Sequence, residues 1–386
     1  MRTALPSVLL AVVLALPARG LAAPPKIGFI NSVTGPEAPI GEALTNGADL
    51  AIDDLKKKGV DLQVLRQDDG GKPQLAMSAL EQLATGDDVA AVVGPYASAP
   101  ANAIAKIAEQ YKVPLLIPVA SKEEITRQGY QWVFRLNAPA HNYAHQLIDA
   151  AMTLGKPRTI AFIYESTDFG ISVATLGKEY AAKKGLKVVG DEAYQKGAPD
   201  YRSTLTKLRA ASPDLVLMVS YVADAVLLMR QSREVGLKPQ AFLGGGAGFD
   251  TTQFQNERDI SANVFSVTQW TPDSGWPGAA DFAKRYEARF GKRPTYHAAT
   301  AYEAMMIMGD VVQKAGGDRK KIREALASGS WNGTMGQVKF ETGNGFTNQN
   351  DHQMLVVQYQ GDKVVTVYPP QYAKGKAVYP FPGFKQ

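Results

Sequence analysis

The 386-residue sequence contains no cysteine, which excludes disulfide bridges, thiolate metal sites, a cysteine nucleophile and lipid attachment through cysteine. Histidine is scarce, with four residues, and no G-x-S-x-G elbow accompanies them, so hydrolase chemistry has no recognisable machinery. His141 and His145 could share a helix face at i, i+4; a metal would want a third ligand, and a solvated pair is the commoner outcome. Walker A is missing. GGGAGF at 244–249 begins like a dinucleotide fingerprint, but Phe249 stands at the final glycine and the segment comes late in the chain. A nicotinamide-dependent oxidoreductase is therefore the weaker reading, and no cofactor is expected.

Concentrated charge is lacking too. The 42 basic and 37 acidic residues give a formal charge of +5, and KKK at 56–58 is the longest basic run. Nucleic-acid binding calls for a clustered basic footprint, so these residues read as solvated helix faces. Long apolar runs are equally absent. Val8–Leu16, behind Arg2, falls short of the roughly 20 residues that cross a bilayer. It reads as the core of a signal peptide, followed by the small residues Gly20, Ala22 and Ala23. Cleavage after Ala22 is preferred, because cleavage one residue later would leave Pro24 first. Loss of Arg2 and Arg19 with this leader lowers the charge to +3. A soluble periplasmic monomer is the expectation.

What is present is an alternation. Short apolar runs occur at IGFI (27), LQVLRQ (62), VAAVVG (89), VPLLIP (113) and WVFRL (132). Such runs suit parallel strands covered by helices on both faces. Between the first two, Leu44, Ala48, Ile52 and Leu55 recur at helical spacing before a lysine cluster and Gly59. Pro73 suits the first turn of the next helix. The series restarts with TIAFIY (159), KVVGDEAY (187), DLVLMVS (214), QAFLGG (240) and NVFSVTQW (263). Two such sets predict two doubly wound α/β lobes of similar topology. Helices are expected at 278–290, 298–315 and 319–328, then an antiparallel pair around 335–340 and 353–368. The tail would return to both sheets and form a multi-strand hinge. The expected division places 1–22 in the leader, 23–138 with 271–347 in one lobe, and 139–270 with 348–386 in the other.

Ligands of open α/β sheets bind beyond the carboxyl ends of the strands. There the first lobe offers NSVTGPEAPIG, GPYASAP and PVASKEE. Ser98 and Ser121, with the backbone N–H groups of their loops, would suit a carboxylate. The plainer alternative is that each serine only caps a helix.

These segments resemble the leucine/isoleucine/valine-binding proteins of the type I solute-binding fold. The resemblance rests on IGFINSVTGPEAPIGEALTNGADLAIDDL, VVGPYASAP, VPLLIPVASKEEITRQGYQWVFR, YESTDFG, DLVLMVSYVADAVLLMRQSREVGL and FLGGGAGFD, across nearly the whole chain past the leader. It implies a periplasmic, non-enzymatic component of an ABC importer, with the permease subunits as partners. By the resemblance, Ser98, with Ala97 beside it, and Val119, Ala120 and Ser121 hold a ligand carboxylate. Phe169 and Tyr221 close from the second lobe, and Ile40 lines the side-chain pocket. Gly246 stands where an acidic residue usually holds the ammonium of an α-amino acid. The expected ligand is thus an aromatic or other hydrophobic carboxylate without an α-amine. A branched-chain amino acid stays open if Glu37, Glu165, Asp168, Asp224 or Asp250 reaches the ammonium. A soluble ligand sensor is a further alternative, because fold does not fix function. His297 is read as structural, and Trp270, Trp276 and Trp331 as core or cleft aromatics.

Overall fold

In the structure, a computed structural model, residues 23–384 are described; the leader expected over 1–22 lies outside them. The first five strands are β1 (Lys26–Asn31), β2 (Gln63–Asp68), β3 (Ala91–Val93), β4 (Leu115–Ile117) and β5 (Val133–Arg135). They pair in parallel in the order 2-1-3-4-5. The next five are β6 (Thr159–Glu165), β7 (Lys187–Tyr194), β8 (Leu215–Val219), β9 (Ala241–Gly244) and β10 (Phe265–Thr268). They repeat the order as 7-6-8-9-10. Central strands such as β3 and β8 are buried at every residue, while the edge strand β2 is not. That contrast explains why the central runs are continuously apolar.

The expected pairing of 335–340 with 353–368 does not form. Three hairpins stand there, formed by β11 (Trp331–Gly333) with β12 (Gly336–Val338), β13 (Phe340–Gly343) with β14 (Phe346–Asn350), and β15 (Leu355–Gln360) with β16 (Lys363–Tyr368). β14 extends the first sheet beside β5, and β15 extends the second beside β10. First-sheet strand β14 runs through Asn350, past the crossing expected at residue 347, and the chain enters the second sheet at Leu355.

Helices follow the strands for the reason the apolar spacing gives. In Ala38–Lys57 one buried stripe holds Ile40, Leu44, Ala48, Ala51 and Leu55, each buried leucine contributing about 1.5–3 kcal/mol. The helix stops at Gly59, whose φ is +77°. It lies tightly against Tyr296–Ala315: a Cβ at Gly47 would come within 2.1 Å of the Ala298 carbonyl oxygen. A residue larger than glycine there would push the two helices apart.

Three segments cross between the sheets, and Gln269 ties them together. Its side-chain amide accepts from the Ala138 backbone N–H at 3.4 Å and donates to the Tyr143 hydroxyl at 2.9 Å. The Gln269 backbone carbonyl oxygen lies 2.6 Å from His352 Nε2. Gln269 is fully buried, so these bonds form away from competing water, where an unmade one would be costly. The crossings thus form one hydrogen-bonded hinge. No helix among the described residues is long and apolar enough to cross a membrane.

Candidate functional site

Both sheets reverse strand order between their first and third strands, at β1/β3 and at β6/β8. Crevices open at such switch points, and here the two face one another. Between them lies a small cavity lined from the first sheet's loops by Tyr96, Ser98, Val119, Ala120 and Ser121. Phe169, Tyr221 and Ala247 line it from the loops and helix starts behind the second sheet's strands, and Tyr143 and Tyr296 from the first turns of two helices. Ser98, Val119, Ala120, Ser121, Phe169 and Tyr221, singled out in the sequence, are thus brought together. Ala97 and Ile40 are buried but lie outside this lining.

Neither serine caps a helix. The residue before helix Ser98–Tyr111 is Ala97, which makes no side-chain cap, and the short helix after Ser121 begins behind Glu123 without one. Instead Ser98 Oγ accepts from the backbone N–H groups of Ser121 and Lys122, both at 3.3 Å. These two bonds fix the Ser98 oxygen and leave its hydroxyl hydrogen free to donate. Beside them the Tyr96 hydroxyl has no hydrogen-bond partner. Burial holds its pKa well above the ordinary phenol value, so it stays a donor.

The rings form a continuous wall. Tyr96 and Tyr221 meet across the cleft with centroids 5.8 Å apart; Phe169 lies 5.8 Å from Tyr221 and 5.6 Å from Tyr143. Tyr96, Tyr143, Tyr296 and Ala247 were not picked out as site residues. Tyr96 sits two residues before Ser98 in the GPYASAP loop, and Tyr296 precedes His297; both were legible by position. Tyr143 reaches the site only through the hinge, held by Asn137 at 3.0 Å and Gln269. His297 is buried and stacked on Tyr296 at 3.9 Å, with burial holding its pKa down to about 3. His141 pairs with Glu123 at 2.9 Å, and His145 stacks on Tyr180 at 3.7 Å.

Gly246 has a role beyond the loss of an acid. Its backbone, at φ +77° and ψ −153°, lies in a region almost reserved for glycine. A Cβ there would sit 2.7 Å from the Tyr143 ring. The tyrosine fills the space a side chain would need.

No acidic or basic residue lines the cavity. Of the five carboxylates considered for an ammonium, four are engaged elsewhere. Glu37 pairs with Lys196 across the cleft, and Asp168 with Lys122 at 2.8 Å, also across it. Glu165 accepts from the Thr167 hydroxyl at 2.6 Å and the Tyr221 N–H at 3.1 Å; burial pushes its pKa up to about 7 against those bonds. Asp224 accepts from the Gly197 N–H at 3.0 Å. Among the fully buried oxygens of these five, Asp250 Oδ2 alone has no partner, and Asp250 does not line this cavity.

The cavity measures about 10 Å3, and one water needs roughly 10–15 Å3. With two ion pairs spanning it, the cleft is closed, and a ligand could enter only after the lobes part.

The sequence profile of the family described as "Periplasmic binding protein" matches residues 24–363. A Leu/Ile/Val-binding protein homolog 8 of Brucella abortus is 31% identical over 375 residues, covering 91% of this chain and 92% of the relative. The fold is similar to that of a leucine-binding protein of Thermotoga maritima (TM-score 0.81, 23% identity, 90% of this chain and 99% of that one). It is likewise similar to a solute-binding protein of R. palustris in complex with benzoate (TM-score 0.79, 20% identity, 89% and 96%). Two lobes of one topology, meeting at their switch points around a closed cleft, agree with that profile: the chain belongs to the periplasmic binding protein family and is a solute-binding protein.

Proposed function

We propose that this protein is the exported solute-binding component of an ABC importer and that its ligand is a small aromatic or otherwise hydrophobic carboxylate lacking an α-amine. The observation that carries the reading is the lining: the hydroxyls of Ser98, Ser121 and Tyr96, the last without a partner, rings around them, and no charged residue among those that line the space. Donors aimed at one point suit an anion. A buried ammonium without a partner would cost several kcal/mol, and Tyr143 leaves no room at Gly246 for the missing carboxylate. The benzoate complex of the R. palustris protein supports the ligand class, and the leucine-binding relative marks the main rival.

In this reading the anion docks on the first lobe while the cleft is open. The second lobe then swings about the Gln269-linked hinge, bringing Phe169 and Tyr221 onto the ligand's body. Closure is favoured only as far as the ligand binds the closed form better than the open one. The closed monomer would then present itself to the permease. Native mass spectrometry of the protein as purified tests the ligand class. A retained organic acid is the expected mass; retained leucine or isoleucine would overturn the reading.

A further inference from the structure

The two ion pairs that cross the cleft are unequal. Lys122 and Asp168 keep 20% and 34% of their side-chain surface exposed, whereas Glu37 keeps 2% and its partner Lys196 26%. Exposed pairs contribute little. A charge pair buried between two closing surfaces couples strongly and governs how fast those surfaces separate.

Each half of the buried pair is held by its own lobe. Glu37 stands immediately before helix Ala38–Lys57, whose N-terminus favours a negative charge. The Gly71 backbone packs so closely on it that a Cβ there would meet Glu37 Oε2 at 2.8 Å. Lys196 is the one side chain among the described residues that donates to the Glu37 carboxylate. Asp69, the buried first-lobe carboxyl on which the Glu37 charge acts, has the same sign. On the other side, Lys196 sits in a turn just past β7, closed by the Ala198 N–H on the Gln195 carbonyl at 3.1 Å and tied to Asp224 through the Gly197 N–H. Its ammonium lies 4.4 Å from the centre of the Tyr221 ring, a contact that attracts a cation. Tyr221 is a wall of the ligand cavity, and Lys196 is not.

We propose that Lys196 is a positioning residue for closure: the Tyr221 ring holds its ammonium where Glu37 meets it, and the pair latches only when the lobes come together. The inference goes beyond the carboxylate reading, because a latch that does not touch the solute acts on any solute the cleft encloses. Its signature is a release rate that changes by one factor for every ligand.

Stopped-flow kinetics with benzoate, 4-methylpentanoate and leucine, followed for each one that the wild-type chain binds, test it in a double-mutant cycle. Lys196→Met, which keeps the length of the side chain and removes the charge, should speed release at least about thirtyfold, the low end for removing one member of a buried charge pair. Capture should not slow, which also shows that the variant is folded. Glu37→Gln should act alike and guards against misfolding of the first variant. The double variant should release no faster than the quicker single one. Lys196→Arg, which restores the charge, should bring release back toward the wild-type rate. Release within about threefold of the wild type, the scale of an exposed pair, would overturn the latch. So would single effects that multiply in the double variant, or an acceleration that differs from one ligand to another. Binding of leucine and of neither acid would overturn the carboxylate reading, and the same cycle run on leucine would still decide the latch.

Discussion

The two halves of the cleft share one topology and differ in what they place at the strand ends. The first sheet's loops present hydroxyl and amide donors, with Ser98 held between the N–H groups of Ser121 and Lys122. The second sheet's loops present Phe169, Tyr221 and Ala247, and turn Glu165 and Asp224 back onto their own backbone. Strand order alone makes the crevice. The side chains then divide the work, the first lobe taking the charge of a ligand and the second covering its body.

The sharpest way to break this division is at Gly246. Gly246→Ala should cost about 2–5 kcal/mol, since it adds backbone strain to a collision with Tyr143. Denaturant unfolding reads the loss. Gly246→Glu should destabilise similarly and should not create leucine binding, because the ring occupies the required space.

Ser98→Ala should weaken carboxylate binding by about ten- to hundredfold, as expected for losing a hydrogen bond to a charged group. Phe169→Ala, on the opposite wall, should lower affinity for aromatic acids more than for short aliphatic ones. If the two substitutions affected all acids alike, the proposed split between lobes would be wrong.

Asp250 and Glu165 sharpen the comparison through pH. Burial, opposed by the Thr268 hydroxyl for Asp250 and by Thr167 for Glu165, raises each pKa to about 7. A carboxyl whose folded pKa lies above its unfolded value binds protons more tightly in the folded state. Its contribution is thus complete below the ordinary carboxylate range and is lost as pH rises through about 7. Thermal stability should fall over that interval, and Asp250→Asn or Glu165→Gln should flatten the fall. The smallest effect is expected at the interlobe pair Lys122–Asp168, which is partly exposed. Lys122→Ala should speed ligand release only a few-fold, on the scale of about 0.2–1 kcal/mol, and less at high salt.

Much of the fold was legible because central parallel strands are apolar throughout and helices carry a stripe. The tail was harder. Its hairpin turns lie at TGNG and QGDK, where Asn344, Gly345 and Gly361 take positive φ. Each of these turns separates the two strands of one hairpin, which the apolar runs alone do not show. Ser98 and Ser121 followed from the strand-end rule. Tyr143 did not, because its place depends on how the hinge folds one half onto the other. A buried ring reads in sequence as core, and an unpaired atom leaves no sequence trace.

The central claim is a carboxylate site without an ammonium site. Titration calorimetry of leucine against 4-methylpentanoate, which share a carbon skeleton and differ by the amine alone, tests it most directly. The account predicts that the acid binds at least about tenfold more tightly than the amino acid, the minimum expected when an ammonium is buried without a partner. Tighter binding of leucine would contradict it.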